Sequence, residues 1–355
     1  MDLTSVIFSP IYYQHNPGRL HPESARRLRV AVRELKKSRL EGVKNWRFVE
    51  PEKASLADVG LVHGMDYIES IESLCSLGGE QLDVEGDTIA SSESFEVALH
   101  AVGGALKAVN LVMNEKTRNA FALVRPPGHH AGKYHACGFC IFNNVAIATK
   151  HLLRNHRLKR ILILDIDAHH GNGTQKIFYR TDKVLYISLH EDPRVFPRNG
   201  FISEVGEGHG LGFNVNIPLP YETTDEIYMK AMNEVVKPII RQYKPEFALV
   251  SAGFDGHYTD PVGNLSLSTR CYQEVYNTIV DLASGLCKGK LVSVLEGGYS
   301  LNFIGKLVVV AIASMCGASQ IVEDSPPTTR KRVREEGEDA IREVKRVQKL
   351  SWNMK

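Results

Sequence analysis

RILILDIDAHHGNG, residues 160–173, contains the most informative pattern in the sequence. Ile161–Leu164 form a continuous apolar run, which predicts a strand buried on both faces. Asp167 and His169 follow at its carboxyl end, two positions apart, so a strand would project both side chains from one face. A carboxylate beside an imidazole is half of a typical metal site. A plain strand and turn with solvated acids is the alternative, but four ionisable residues directly after so apolar a run disfavour it.

The rest of the chain alternates buried strands with helices. Further strands are expected at 6–8, 121–124, 184–190, 247–253 and 291–295. Helices are expected at 23–40, 55–77, 95–113, 144–154, 174–179, 224–243, 268–286 and 302–315, with a polar loop at 78–92 and a glycine-rich span up to Pro220. This alternation predicts an α/β fold, a single domain with a mainly parallel multi-stranded sheet sandwiched by helices. We expect this domain to comprise residues 1–321.

Residues 322–355 form a charged C-terminal tail. Their nine Lys and Arg against seven Asp and Glu account for the whole formal net charge of +2. The composition favours a poorly ordered tail. Ala340–Leu350 offers an alternative, because Ile341, Val344 and Val347 at three-residue spacing predict a short helix that docks on the body or on a partner.

Composition narrows the class of protein. With 43% hydrophobic residues in 355, the chain can bury a large core, and its neutral body argues against a nucleic-acid surface. The sequence shows no signal-peptide pattern and no uninterrupted apolar run of membrane-spanning length, so we expect no membrane association. Six scattered cysteines indicate reduced thiols and a cytoplasmic location, with the nucleus as the alternative for a eukaryotic source. The oligomeric state stays open.

Polar residues follow every strong strand candidate, at the sheet edge where open α/β sheets bind ligands. Two protein groups bind zinc weakly, so Asp167 and His169 need a third ligand. We expect Asp260, which precedes a proline in a loop and has no cation nearby in sequence. Two carboxylates and one imidazole would leave a coordination position for water, which a metal acidifies.

The remaining candidates are proton donors and acceptors. His129 and His130, in RPPGHH, would form a proton-transfer pair, with Asp165 holding one imidazole and Asn172 the other. Tyr299, behind a Gly-Gly pair, could donate a hydrogen bond to a developing oxyanion. Spacing alone leaves each of these assignments open.

Taken together, these segments resemble the histone deacetylase family, which has the arginase–deacetylase fold. The family's motifs appear in order as RPPGHH (125–130), GFCIFNN (138–144), DIDAHHGNGTQ (165–175), GEGHGLGFNVNIPLP (206–220), SAGFD…DPVGNL (251–265) and LEGGY (295–299). The resemblance covers about residues 5–320. It implies one Zn²⁺ per chain on Asp167, His169 and Asp260, with His129 and His130 as the tandem catalytic histidines and Tyr299 as the oxyanion tyrosine.

The resemblance also implies how substrate is bound. Phe139 and Phe196 match the aromatic walls of the substrate tunnel, with Gly138 between Phe139 and the catalytic pair, and Asp87 matches an acid that grips the substrate backbone in some members. Val262 stands where a polyamine-selective relative has an acidic gatekeeper, which argues against a cationic polyamine as the preferred substrate. Asn172, where class I members carry an aspartate, points to the class II side, and a tyrosine at 299 is consistent with full activity.

The family binds structural potassium as well. The inner site would map to Asp165, Asp167, His169, Ser188 and Leu189, and the outer site to Phe178, Thr181, Val184 and Phe213, mainly through backbone carbonyls.

These expectations combine into one hypothesis with two rivals. The hypothesis is a zinc-dependent hydrolase of linear amides that removes acetyl or another small acyl group from lysine side chains in a protein or peptide. The enzymatic rival is an amidohydrolase of acetylpolyamines or other small acylamines. The rival from another class is a non-catalytic acetyl-lysine binding protein that has kept the pocket.

Overall fold

A computed structural model describes residues 3–38, 40, 45–318, 320 and 322–354. Its centre is an eight-stranded sheet in the order β2-β1-β3-β8-β7-β4-β5-β6, with every neighbouring pair parallel. The strands are β1 (Thr4–Ile7), β2 (Trp46–Val49), β3 (Asn119–Ala122), β4 (Ile161–Asp165), β5 (Val184–Glu191), β6 (Asn214–Leu219), β7 (Phe247–Ala252) and β8 (Leu291–Leu295). The fold is therefore the predicted α/β architecture.

Helices connect the strands and cover both faces of the sheet. They are α1 (Arg26–Lys37), α2 (Leu56–Val59), α3 (Met65–Ser76), α4 (Ser94–Met113), α5 (Asn144–Asn155), α6 (Asn172–Phe178), α7 (Asp225–Ala231), α8 (Lys237–Tyr243), α9 (Thr269–Cys287), α10 (Ile304–Met315) and α11 (Lys331–Gln348). A π-helical turn, Met232–Val236, joins α7 to α8. α4 is long and apolar enough to cross a membrane by length and composition, but most of it is buried among the other elements.

The central strands are buried along their whole length because helices cover them on both sides. Every residue of β4, β5, β7 and β8 is buried. This explains why their sequences are continuously apolar rather than alternating. The register places Asp165, the last residue of β4, opposite Ser188 of β5 on one side and Ser251 of β7 on the other. The carboxyl ends of these strands therefore meet at one edge of the sheet.

The C-terminal tail is an ordered part of the molecule, so the interpretation as a poorly ordered tail was wrong. α11 begins at Lys331, earlier than the expected helix at 340–350, and buries Val333, Ile341 and Val344. Ion pairs of 2.6 Å between Lys230 and Glu338 and of 3.0 Å between Glu234 and Lys345 join it to the body.

The tail also satisfies polar groups near β6, the edge strand. The Gln348 side chain donates to the carbonyl of Asn214 in β6 at 3.5 Å, and the Trp352 indole donates to the carbonyl of Gly212 at 2.8 Å. The tail thus occupies a border of the sheet.

Three elements differ from the sequence-based expectation. β2 and β6 were not expected, and the single helix expected at 55–77 is divided into α2 and α3. The division follows from local hydrogen bonding. Ser55 and Asp58 cap α2 reciprocally, and α3 begins afresh after Gly64, whose N–H bonds to the carbonyl of Lys133 at 3.0 Å.

Candidate active site

A cavity of about 220 Å³ opens at the edge where the central strands end. Its lining brings together most of the predicted site residues: Asp87, His129, His130, Gly138, Phe139, Asp167, His169, Phe196, Val262 and Tyr299. Pro127 and Gly297 complete it. The loops that supply them follow six different strands or helices, so only the folded sheet assembles this group.

Asp167 and His169, which line this cavity, form a compact cluster with the buried Asp255. One ligand-type atom from each lies within 4.8 Å of the others, and His169 Nδ1 is 2.9 Å from Asp255 Oδ2 and 3.4 Å from Asp167 Oδ1. Burial and the charge of Asp167 raise the pKa of Asp255 to about 7. In the described part of the chain, no Lys or Arg forms an ion pair with either carboxylate. Two buried acids and an imidazole without a cationic side chain fit a divalent metal.

Asp260, the expected third ligand, is not part of this cluster. Its Oδ2 accepts backbone N–H bonds from Tyr299 at 2.6 Å and Ser300 at 3.0 Å, and its Oδ1 accepts one from Val262 at 3.0 Å. Both oxygens are thus engaged in holding the loop that carries Tyr299. We therefore replace Asp260 by Asp255 in the candidate metal site.

The sequence contained a signal for Asp255 that the expectation did not use. It lies three residues beyond β7, which pairs directly with β4, whereas Asp260 lies farther along the same loop. Gly253 permits the close approach, because a Cβ there would meet Asp167 Oδ2 at 2.1 Å. The short connection and the glycine together bring the end of β7 against the end of β4.

His129 and His130 lie side by side, with ring centroids 4.0 Å apart, and each is held by a different partner. His129 Nδ1 is 3.1 Å from the carboxylate of Asp165, and His130 Nδ1 is 2.8 Å from the amide oxygen of Asn172. Burial lowers the pKa of His129, but the charges of Asp165 and Asp167 outweigh it and raise that pKa to about 10. Burial and the charge of His129 lower the pKa of His130. One histidine therefore favours the charged form and the other the neutral form.

Tyr299 lines the same cavity. Gly298, at φ +113°, provides the left-handed turn before it. The Arg27 guanidinium lies 4.8 Å from the Tyr299 ring centroid and donates to the carbonyls of Gly298 at 2.6 Å and Glu296 at 2.5 Å. The tyrosine ring is thus clamped by α1, a helix distant in sequence.

Two aromatic rings flank the cavity. Phe139 packs edge-on against Tyr299 at 5.7 Å, and Phe196 packs edge-on against His130 at 5.0 Å. Gly138, at φ +53°, lies so close to His130 that a Cβ would meet its Cδ2 at 2.4 Å. These placements agree with narrow walls leading to the histidine pair.

Asp87 and Val262 lie at the rim. Burial and the neighbouring Asp83 raise the pKa of Asp87 to about 7. Asp83 accepts backbone N–H bonds from Gly86, Asp87 and Thr88, and the Thr88 hydroxyl accepts the Phe139 N–H at 2.9 Å. The polar loop is therefore tied to the aromatic wall.

The sequence reasoning also missed supporting residues beneath the site. Glu296 Oε2 accepts the N–H of Gly128 at 2.6 Å and of His129 at 3.1 Å. Glu23, fully buried, accepts bonds from Arg27 at 3.1 Å and Arg125 at 2.8 Å. No motif spacing connects residues so far apart, although a buried charge in the LEGGY segment could have directed attention to Glu296.

Three of the predicted potassium ligands, Val184, Ser188 and Leu189, lie in β5. Ser188 faces Asp165 in register, and its hydroxyl is 2.8 Å from His190 Nδ1. The Phe178 carbonyl accepts the Thr181 N–H at 3.2 Å. Potassium binding stays a prediction.

The parallel sheet, the acid–imidazole cluster and the cavity shared by two histidines and a tyrosine agree with a hydrolase of the deacetylase type. A family model described as histone deacetylase domain matches residues 21–315. The chain belongs to the histone deacetylase family.

Individual relatives agree with this membership. The chain is 40% identical over 359 residues to a probable deacetylase of Archaeoglobus fulgidus, covering 99% of each. It is 34% identical to histone deacetylase 14, chloroplastic, of Arabidopsis thaliana, over 92% of this chain and 81% of the relative. A crystal structure of the HDA15 HD domain superposes with a TM-score of 0.87 at 31% identity, covering 99% of this chain and 95% of that one.

Proposed function

We propose that the protein is a zinc-dependent deacylase that removes acetyl or another small acyl group from lysine side chains. The observation that carries this proposal is that Asp167, His169, both tandem histidines and Tyr299 line one cavity of about 220 Å³, with Asp255 directly behind them. Family membership supports the amide-hydrolase chemistry.

Zn²⁺ bound by Asp167, His169 and Asp255 would polarise the scissile carbonyl and acidify the attacking water. His130 donates its Nδ1–H to Asn172, which leaves Nε2 free to accept the water proton and later to deliver it to the leaving amine. His129, held charged by Asp165, supports the developing negative charge, and the Tyr299 hydroxyl donates a hydrogen bond to the oxyanion.

The substrate assignment rests on the cavity walls. Phe139 and Phe196 suit the apolar methylene stem of an acylated lysine, and Val262 places no negative charge at its own position in the lining. A peptide or protein lysine therefore fits better than a cationic diamine.

A substrate panel tests this assignment. Zinc-loaded protein should hydrolyse an acetyl-lysine peptide faster than acetylputrescine, and a hydroxamate should inhibit it by chelating the metal. A strong preference for acetylputrescine would favour the small-acylamine amidohydrolase instead. Metal-loaded protein that cleaves no acyl-lysine peptide would favour a non-catalytic acetyl-lysine binder, and Tyr299→Phe serves as the matched low-activity control.

We also propose structural potassium at the predicted inner and outer sites. Support comes from the neighbouring positions of Asp165 and Ser188 in the sheet. Thermal unfolding in KCl compared with tetramethylammonium chloride at equal ionic strength tests it, and equal melting temperatures would contradict it.

A further inference from the structure

A second cavity, of about 540 Å³, lies outside the candidate active site. It is bounded by the connection between α2 and α3, by the segment that follows His130, and by α5 and α6. Lys133, His135, Lys150 and Lys176 line it, and the lining contains no acidic residue. Its size is typical of small-molecule sites, which span roughly 300–1,000 Å³.

The three lysines line the same cavity, and none of them has an ion-pair partner among the described residues. In the described residues the lysine ion pairs involve other positions. Lys133 Nζ instead lies 4.9 Å from the Tyr134 ring centroid, and Lys150 Nζ lies 5.2 Å from that of Phe178. Aromatic faces stabilise an ammonium only modestly. The cavity therefore has an excess of positive charge.

The pKa shifts of Lys150 and His135 agree with a cavity whose positive charge comes from its lysines. Burial lowers the pKa of Lys150, which indicates that its ammonium is partly desolvated. Burial and the charge of Lys176 lower the pKa of His135, and Glu85 acts on it in the opposite sense. His135 is consequently neutral near pH 7 and serves as a hydrogen-bonding group, while the lysines supply the charge.

We propose that this cavity binds a phosphorylated small molecule, with Lys133, Lys150 and Lys176 contacting phosphate oxygens. Lysine ammonium groups are regular phosphate partners. The remaining wall is largely apolar, with the side chains of Leu61, Val62 and Ile177 and the Tyr134 ring. A nucleoside diphosphate matches both parts of this cavity. Its multiply charged phosphate end suits the lysines, and its flat organic end suits the apolar wall.

The position of the cavity relates it to the catalytic segment without overlapping it. Lys133 and His135 lie in the sequence between His130 and Gly138. The His135 ring packs against Gly132, since a Cβ on that glycine would lie 2.2 Å from His135 Cε1. Lys176 is on α6, the helix that begins at Asn172. A bound phosphate would therefore connect the two elements that carry the His130–Asn172 pair.

Calorimetric titration of the metal-loaded protein tests the proposal, with ADP, inorganic phosphate and adenosine as probes. ADP should bind, phosphate should bind more weakly and compete with ADP, and adenosine alone should not bind measurably. Binding of ADP should weaken as NaCl increases, because salt screens the lysine charges. Metal content is measured before and after titration, so that loss of zinc to the nucleotide is not counted as binding.

Variants localise the site. Lys150→Gln combined with Lys176→Gln should weaken ADP binding roughly tenfold or more, as expected for loss of charge-assisted hydrogen bonds. Lys36→Gln combined with Lys183→Gln, at exposed positions outside the cavity lining, is the matched control and should leave it unchanged. No heat from ADP at millimolar concentration, or equal ADP affinity in both double variants, would overturn the proposal.

Discussion

Tyr299 shows how a single side chain is prepared for a role in the transition state. Its ring packs against both Phe139 and the Arg27 guanidinium, which restrict its position. Tyr299→Phe removes one hydroxyl and little volume. We expect kcat to fall by roughly 10²–10³ with KM changed much less, because an oxyanion donor acts mainly in the transition state.

Steady-state kinetics and zinc content together measure this effect. The variant should retain normal zinc, since Tyr299 is not among the clustered ligand residues. Wild-type kcat in Tyr299→Phe would remove the tyrosine from the mechanism.

Asp255 and Asp260 are distinguishable by metal content. Asp255→Ala should lower bound zinc sharply, because it removes one of three clustered ligands. Asp260→Asn keeps the size of the side chain and an oxygen for the N–H groups of Tyr299 and Ser300, so zinc should stay near stoichiometric. Elemental analysis after dialysis measures both. Loss of zinc in Asp260→Asn with retention in Asp255→Ala would restore the original third ligand.

Asn172 sets the pH at which His130 is a free base. Burial and the charge of His129 lower the pKa of His130, and Asn172 accepts its Nδ1–H without adding negative charge. Asn172→Asp would stabilise the imidazolium and raise that pKa. Because the base must be unprotonated, the acidic limb of kcat/KM should move to higher pH by roughly one unit. An unchanged acidic limb in the pH–rate profile would show that His130 is not the base.

At the scale of elements, α11 contributes packing energy through one face. Ile341 is 1% exposed and belongs to the main core. Ile341→Ala should lower the free energy of unfolding by about 2–5 kcal/mol, the range for removing a large buried aliphatic group. Arg342→Ala, the exposed neighbour, is the control and should change it by less than about 0.5 kcal/mol. Urea unfolding measures both, and equal midpoints for the two variants would contradict a packed helix.

The strands and helices that the sequence predicted correctly are those with a clear hydrophobic periodicity or a long apolar run. β4, β5, β7 and β8 are buried throughout, so their composition alone distinguished them. β2 is an edge strand with no fully buried residue, which leaves little contrast with a loop. β6 contains Asn214, Asn216 and Pro218, whose types argue against a strand, and tertiary hydrogen bonds to Gln175 and Glu204 stabilise both asparagines there.

Site residues were predictable where the partners are close in sequence. They were not predictable where the order of strands in the sheet determines which residues meet. Asp167 and His169 are two positions apart on one strand end, and the histidine pair is contiguous. The choice between Asp255 and Asp260 depended on the pairing of β7 with β4, and the short connection from β7 to Asp255 becomes informative only once that pairing is known. Arg27 reaches the Tyr299 loop from the other end of the chain, so no local pattern contained that contact.

At the scale of the whole molecule, the tail completes a border of the sheet. Within the part of the chain that the structure describes, β6 pairs only with β5, and Gln348 and Trp352 bond to carbonyls in or near it. Removing residues 322–355 should lower the melting temperature and promote concentration-dependent association through the uncovered edge. Thermal unfolding and light scattering over a range of protein concentrations measure this. A truncated chain that stays monomeric with an unchanged melting temperature would contradict it.

The position of β8 affects how the protein is made. β8 is the last strand in the sequence but lies between β3 and β7, so without it the sheet consists of two separate halves. The histidines follow β3 and the acid–imidazole cluster follows β4 and β7, on opposite sides of that gap. A nascent chain on the ribosome therefore cannot assemble the site until Leu295 has emerged. Until then both half-sheets present unpaired strand edges, which makes the growing polypeptide a natural client of ribosome-associated chaperones.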